Sequence, residues 1–291
     1  MNRPSTLVSV KWLAEKLAIG AKGLRILDSS WHLPNSGRNG AQEYAEKHIP
    51  GALFFDIDAC CDKTSSLDHM LPSPQDFEKY VGSLGISNNT HVIVYDNNET
   101  FGVFSCPRVW WTFKVFGHDS VSILNGGLPQ WCANNFEVTK EVPQVQPEIF
   151  KANFLSHLVK SFEDVKANLT SADYQVVDAR ASGRFNGTSP EPRPDIKPGH
   201  IPGSVNLPFM NIMDPETKTV KSPEELKHLF DVAKIDLQKP VIASCGSGVT
   251  ACCVVLAAEL CGKEDVAVYD GAWTEWFLRA KPDQMDNCPK D

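Results

Sequence analysis

The 291-residue sequence has no apolar run approaching the roughly 18 residues that a membrane-spanning helix needs, which excludes a helical membrane protein. It has no Cys-x-x-Cys pair, so neither a zinc ribbon nor a thioredoxin-type redox motif is written into it. Positive charge is not in excess either: 28 Lys and Arg stand against 36 Asp and Glu, a formal net charge of −8. That balance argues against a nucleic-acid surface while leaving room for a local basic pocket. Met1–Leu17 lacks both an uninterrupted apolar stretch and an Arg-rich leader, so no secretory or matrix-targeting signal is expected there. Ser9 followed by Val10, Leu13, Ala14 and Leu17 is instead the pattern of a capped amphipathic helix.

Nine cysteines are present, in or near hydrophobic segments, which suits a reducing compartment better than a disulfide scaffold. The chain also repeats itself at an offset of roughly 150 residues, the size of a domain. Ser9–Leu17 resembles Ser161–Leu169, Arg25–Asp28 resembles Gln175–Asp178, and His48-Ile-Pro-Gly51 recurs as His200-Ile-Pro-Gly203. Val92–Val94 corresponds to Val241–Ala243, and Gly126–Trp131 to Asp270–Trp276. Five matches in one order indicate a duplicated domain: residues 1–137, a linker over 138–158 marked by Pro143 and Pro147, and residues 159–291. Short apolar runs alternate with amphipathic segments in each half. In the second half, helices are expected over about 162–169, 223–232 and 249–261 and from Trp273, with strands at 175–178, 241–243 and 266–269. The fold class is therefore α/β, two tandem domains, each a mainly parallel sheet flanked by helices.

Sites in such sheets lie beyond the carboxyl ends of the strands. Ser244-Cys-Gly-Ser-Gly-Val-Thr250 stands at such a point. Gly246 and Gly248 permit a tight curl around Cys245, turning amide N–H groups inward, and the following helix adds its positive end. Both features favour negative charge on the sulfur. A buried structural cysteine in a strand-to-helix turn is the plain alternative.

The duplicated halves, the two His-Ile-Pro-Gly turns and Cys245-Gly-Ser-Gly-Val-Thr250 together resemble the two-domain rhodanese family, in its subgroup that takes sulfur from 3-mercaptopyruvate. The resemblance implies a sulfurtransferase working through a persulfide on Cys245, with Gly246, Ser247, Gly248, Val249 and Thr250 forming the binding loop. It places Arg184 and Arg193 on the substrate, leaves Arg180 as a structural residue paired with a carboxylate, and joins Ser247 to His69 and Asp58 in a serine-protease-like relay. The position aligned with Cys245 in the first half is Asp96, which cannot carry a persulfide, so that half is expected to be silent. Cys106 reads as a core residue on the next helix.

Family members that prefer thiosulfate carry basic residues directly after the cysteine; Gly246 and Ser247 depart from that pattern. The expected acceptor is thioredoxin or a small thiol, with no metal or organic cofactor, no nucleic-acid partner and no membrane. Cytosol is the expected location, with the mitochondrion as the alternative because the family occupies both. Rival readings are a thiosulfate sulfurtransferase, a non-catalytic binding module of the same fold, and a cysteine phosphatase. The last needs an arginine-terminated loop where Val249-Thr-Ala251 stands.

Overall fold

The computed structural model describes residues 4–289; Met1–Arg3, where the leader reading begins, lie outside them. No helix among the described residues is long and apolar enough to cross a membrane. The chain divides into two units. The first comprises residues up to Lys63, Leu71–Leu155 and Met213–Val220; the second comprises Thr64–Met70, Ser156–Ile212 and Lys221 onward.

The first unit contains β1 (Leu7–Val8), α1 (Val10–Ala18), β2 (Leu24–Asp28), α2 (Gly40–Glu46), β3 (Ala52–Phe54), α3 (Pro74–Ser83), β4 (His91–Tyr95), α4 (Cys106–Val115), β5 (Val121–Leu124) and α5 (Gly127–Ala133). Its five strands are all parallel, in the order β1-β5-β4-β2-β3. As the sequence predicts, Ser9 caps α1, its side chain accepting from the Trp12 amide. The expected linker is not a free tether. His48 and Thr139 exchange backbone hydrogen bonds, the Glu148 amide donates to the Gly82 carbonyl, and Phe150 is buried edge-on against Phe77 and Phe113. Prolines keep this strap from becoming a helix, and its backbone groups bond to loops of the first unit instead.

The second unit repeats the plan with β6 (Val159–Lys160), α6 (Phe162–Ser171), β7 (Gln175–Asp178), α7 (Ser182–Phe185), β8 (Val205–Asn206), α8 (Pro223–Val232), β9 (Val241–Ser244), α9 (Ala251–Leu260), β10 (Ala267–Tyr269) and α10 (Ala272–Arg279). The strand order β6-β10-β9-β7-β8 matches that of the first unit position for position. Capping boxes at Ser161/Asp164 and Ser222/Glu225 start α6 and α8 where the sequence expects them. The repeated His-Ile-Pro-Gly turns also match. His48 stacks on Tyr44 and its Nδ1 lies 2.7 Å from the Tyr44 carbonyl, while His200 stacks on Phe185 with its Nδ1 2.8 Å from that carbonyl.

The central strand of the second sheet, β9, is buried along its whole length, as an apolar strand covered on both faces must be. Almost all of α9 is buried too, and its Ala, Cys and Val side chains let it sit close to the sheet. Its first turn begins two residues later than the sequence suggests. The added loop length belongs to the site.

Candidate active site

Cys245 follows the last residue of β9 and is buried, with 2% of its surface exposed. Its carbonyl accepts the Trp273 amide at 2.9 Å. The Gly246 carbonyl accepts both the amide (3.1 Å) and the hydroxyl (2.7 Å) of Thr274. In a trans peptide the N–H points opposite to the C=O, so the Gly246 and Ser247 amides are directed away from α10. Gly248 then takes a left-handed φ of +77°, which turns the chain back toward α9 and favours glycine there. The Cys252 thiol donates to the Gly248 carbonyl at 3.4 Å, and the Cys252 and Cys253 amides close the first turns onto Val249 and Thr250. The carbonyls are bound outward and the Gly246 and Ser247 amides face the other way, which is the form of an anion-binding nest. Ser247 and Val249 are buried in it and Thr250 is half-buried.

The arginines form a layered ion-pair network. Arg180 is fully buried: it binds Asp178 through Nε and Nη2, Glu191 through Nη1 at 2.8 Å, and the Gly199 carbonyl, and lies over the Trp273 ring. Burial acts to lower its pKa, but the Asp178 and Glu191 carboxylates hold it above the usual value. It is the structural residue the sequence suggests. Arg184 rides on α7, a one-turn helix, and is gripped by both oxygens of Glu191. A Cβ on Gly246 would lie 2.8 Å from Arg184 Nη2, so this guanidinium rests over a loop residue with no side chain. Among the described residues its Nη1 has no protein partner. Arg193 binds Asp68 through Nε (2.9 Å) and Nη2 (2.5 Å).

Asp68 introduces His69, which is buried and held at φ +63° within the short segment that belongs to the second unit. Asp58 belongs to the first unit, where it is exposed and accepts the Trp31 indole N–H at 3.2 Å. Cys245, Ser247, Arg184, Arg193 and His69 are thus all carried by the second unit, and Asp58 is not. Glu191, Asp68 and Thr274 were missed by sequence reasoning. Glu191 sits between Pro190 and Pro192, where no periodicity marks a buried residue.

The first unit shows what this scaffold does without the cysteine. Asp96 follows β4 as Cys245 follows β9, and its carbonyl accepts the Leu128 amide of α5 as that of Cys245 accepts Trp273 from α10. The buried Asp96 carboxylate accepts the amides of Phe104 (2.5 Å), Ser105 (2.9 Å) and Cys106 (2.9 Å) and the Ser105 hydroxyl (2.5 Å). Burial raises its pKa while these donors pull it back down. A fixed carboxylate fills the anion position. Arg38 pairs with both oxygens of Glu43 as Arg184 does with Glu191, but it also donates to the carbonyl of Asn97, the residue after Asp96, whereas the Gly246 carbonyl is taken by Thr274. Cys106 is the buried first residue of α4, as the sequence reading expects of a core position.

The rhodanese-like domain model matches residues 9–134 and 161–279. The chain is 52% identical over 281 residues to human 3-mercaptopyruvate sulfurtransferase, covering 96% of this chain and 94% of that one. It is 54% identical over 280 residues to the thiosulfate sulfurtransferase of Bos taurus, covering 95% and 93%. The crystal structure of SseA from Escherichia coli superposes with a TM-score of 0.83 at 38% identity, covering 93% of this chain and 99% of that one.

Proposed function

The chain belongs to the rhodanese family of sulfurtransferases, and from that premise we propose that it takes sulfur from 3-mercaptopyruvate onto Cys245 and passes it to a thiol. Identity does not separate the two donors, since relatives of both kinds match at 52% and 54%. The observation that carries the choice is local: the residues after Cys245 are Gly and Ser, and the cation over Gly246 is Arg184, pinned there by Glu191. Thiosulfate, a compact dianion, calls for cations on the loop itself. A keto acid with one carboxylate calls for planar, bidentate guanidinium donors set back from the sulfur.

In the proposed reaction the Cys245 thiolate attacks the sulfur of the donor, and a new S–S bond forms as the C–S bond breaks. The bonding pair leaves with carbon as the enolate of pyruvate, which takes up one proton to become pyruvate. Arg184 and Arg193 hold the carboxylate and carbonyl, and the loop amides face the charge on sulfur. Ser247, His69 and Asp58 move the proton, with Asp58 orienting the ring. An acceptor thiolate then attacks the outer sulfur and releases Cys245 as thiolate; a second thiol converts the acceptor persulfide to a disulfide and hydrogen sulfide. Thioredoxin or a small thiol is the proposed acceptor, and cytosol the proposed compartment, with the mitochondrion the alternative.

Mass spectrometry after incubation with mercaptopyruvate, beside a parallel incubation with thiosulfate, tests this. The expected result is one added sulfur on the peptide carrying Cys245, loaded faster by mercaptopyruvate. Sulfur on another cysteine overturns the nucleophile, and faster loading by thiosulfate overturns the donor.

A further inference from the structure

The Gly246 carbonyl receives two donors from one residue, and they differ in kind. The Thr274 amide at 3.1 Å is backbone and would be supplied by any non-proline residue; the Thr274 hydroxyl at 2.7 Å is the shorter contact and belongs to the side chain alone. A threonine in the first turn of a helix ordinarily turns its hydroxyl to its own helix backbone. This one reaches instead to a loop in a different part of the sequence. Its position is also held at some cost: Ala272, two residues earlier, takes a left-handed φ of +52°, a conformation that non-glycine residues seldom adopt. Trp273 and Thr274 are thereby placed to bind the carbonyls of Cys245 and Gly246 in succession.

A peptide group is one conjugated unit, so a hydrogen bond at its carbonyl strengthens donation from its N–H by about 10–30%. The peptide whose carbonyl Thr274 holds is the one whose N–H belongs to Ser247. Two donors at that oxygen fix the plane of the peptide and polarise it, directing the Ser247 amide to the inner side of the curl. We infer that the Thr274 hydroxyl is a positioning residue for sulfur transfer, acting through the Gly246–Ser247 peptide to set the aim and strength of the Ser247 N–H toward charge on the transferring sulfur. This rests on the assignment of Cys245 as sulfur carrier. Thr274 itself acts at one remove from substrate and sulfur, and its backbone amide does not depend on the side chain.

The test uses the full chain and three variants: Thr274→Val, which removes the hydroxyl at nearly constant shape; Thr274→Ala; and Thr274→Ser, which keeps the hydroxyl. Thr274→Val should slow single-turnover loading of Cys245 by mercaptopyruvate about two- to tenfold, the range of one ordinary hydrogen bond, at unchanged KM and with a thermal midpoint lower by no more than about 4 °C. Thr274→Ala should do the same, and Thr274→Ser should restore the rate. With selective ¹⁵N-serine labelling, the Ser247 amide proton, identified by its loss in Ser247→Ala, should move upfield in Thr274→Val and return in Thr274→Ser. A wild-type loading rate and an unmoved Ser247 resonance in Thr274→Val would overturn the inference. So would an equal loss in Thr274→Val and Thr274→Ser, since the hydroxyl would then not be responsible. Failure of the underlying assignment looks different: Cys245→Ser would still acquire sulfur, whatever the Thr274 variants did.

Discussion

Gly246→Ala is a substitution of one methyl group whose effect on activity and on stability should run in opposite directions. The backbone φ of Gly246 is not among the left-handed ones, so alanine is conformationally allowed. By restricting the unfolded chain it should leave stability unchanged or raise it by about 0.4–1 kcal/mol. The new Cβ, however, lies 2.8 Å from Arg184 Nη2, when ordinary contact begins near 3.4 Å. Arg184 must yield by about 0.6 Å at a guanidinium held by both oxygens of Glu191, and Glu191 is itself tied to the buried Arg180. The Glu191 pair can follow so small a shift, but the bidentate contact proposed between Arg184 and the donor's carboxylate, misaimed by that amount, forfeits about 1.5–3 kcal/mol, which is roughly a 10- to 150-fold loss in kcat/KM for mercaptopyruvate. Steady-state kinetics on wild type, Gly246→Ala, Arg184→Ala and the double variant form a cycle. If the methyl acts through Arg184, it costs almost nothing once Arg184 is gone. A Gly246→Ala variant that loses the same factor in the Arg184→Ala background, or that melts well below wild type, would refute the steric reasoning.

Cys245→Ser should abolish turnover with the fold intact, whereas Cys106→Ser, at the buried start of α4, should keep most activity; circular dichroism and single-turnover sulfur loading check both. Ser247→Ala and His69→Ala should each slow the mercaptopyruvate reaction, and the double variant should be little worse than the poorer single one, because members of a relay fail together. Losses that multiply would dissolve the relay. Gly246→Arg with Ser247→Lys should raise the ratio of thiosulfate to mercaptopyruvate kcat/KM by setting two cations before a dianion, and an unchanged ratio would count against the reading of the loop. Burial pushes Asp28, at the end of β2, from 3.8 up to about 6, against the opposing hydrogen bonds from Ser30. A raised acid favours folding while protonated, so this contribution is present below about pH 4 and is lost as pH rises through about 6; the gap corresponds to about 3 kcal/mol. Urea denaturation followed by tryptophan fluorescence should show Asp28→Asn gaining on wild type across that window, and parallel curves would sink the assignment.

The parallel sheets, their duplication and the loop at the end of β9 were legible because each leaves a local trace: apolar runs such as Val241-Ile-Ala243, the Ser9 cap before an amphipathic run, and a cysteine beside glycines. Arg180 was legible as structural because it follows the strand-end Asp178 that it binds. Glu191 was not, because a carboxylate among prolines looks solvated until two arginines from another turn close on it. Nor was Thr274, whose partner lies in another element and whose place in the sequence carries only the helical pattern of α10. The 138–158 segment lacks periodicity and so read as a linker. Its backbone groups bond to loops and to side chains such as Asn88 and Glu78, and Phe150 is buried, none of which periodic patterning registers.

The short segments that each unit draws from the opposite half of the sequence bear on how the chain is made. Asn125 of the first unit accepts the Val220 amide, and Gln130 donates to the Thr217 carbonyl, so that unit is complete only when residues 213–220 have left the ribosome. The second unit in turn needs residues 64–70, translated long before its sheet, to supply Asp68 to Arg193. Synthesis runs from the N-terminus, yet neither unit finishes on its own schedule. Residues 156–291 expressed by themselves would fold, if at all, with an arginine deprived of its carboxylate and without His69. A fragment intended to isolate the half that carries Cys245 would therefore lack part of the proposed site.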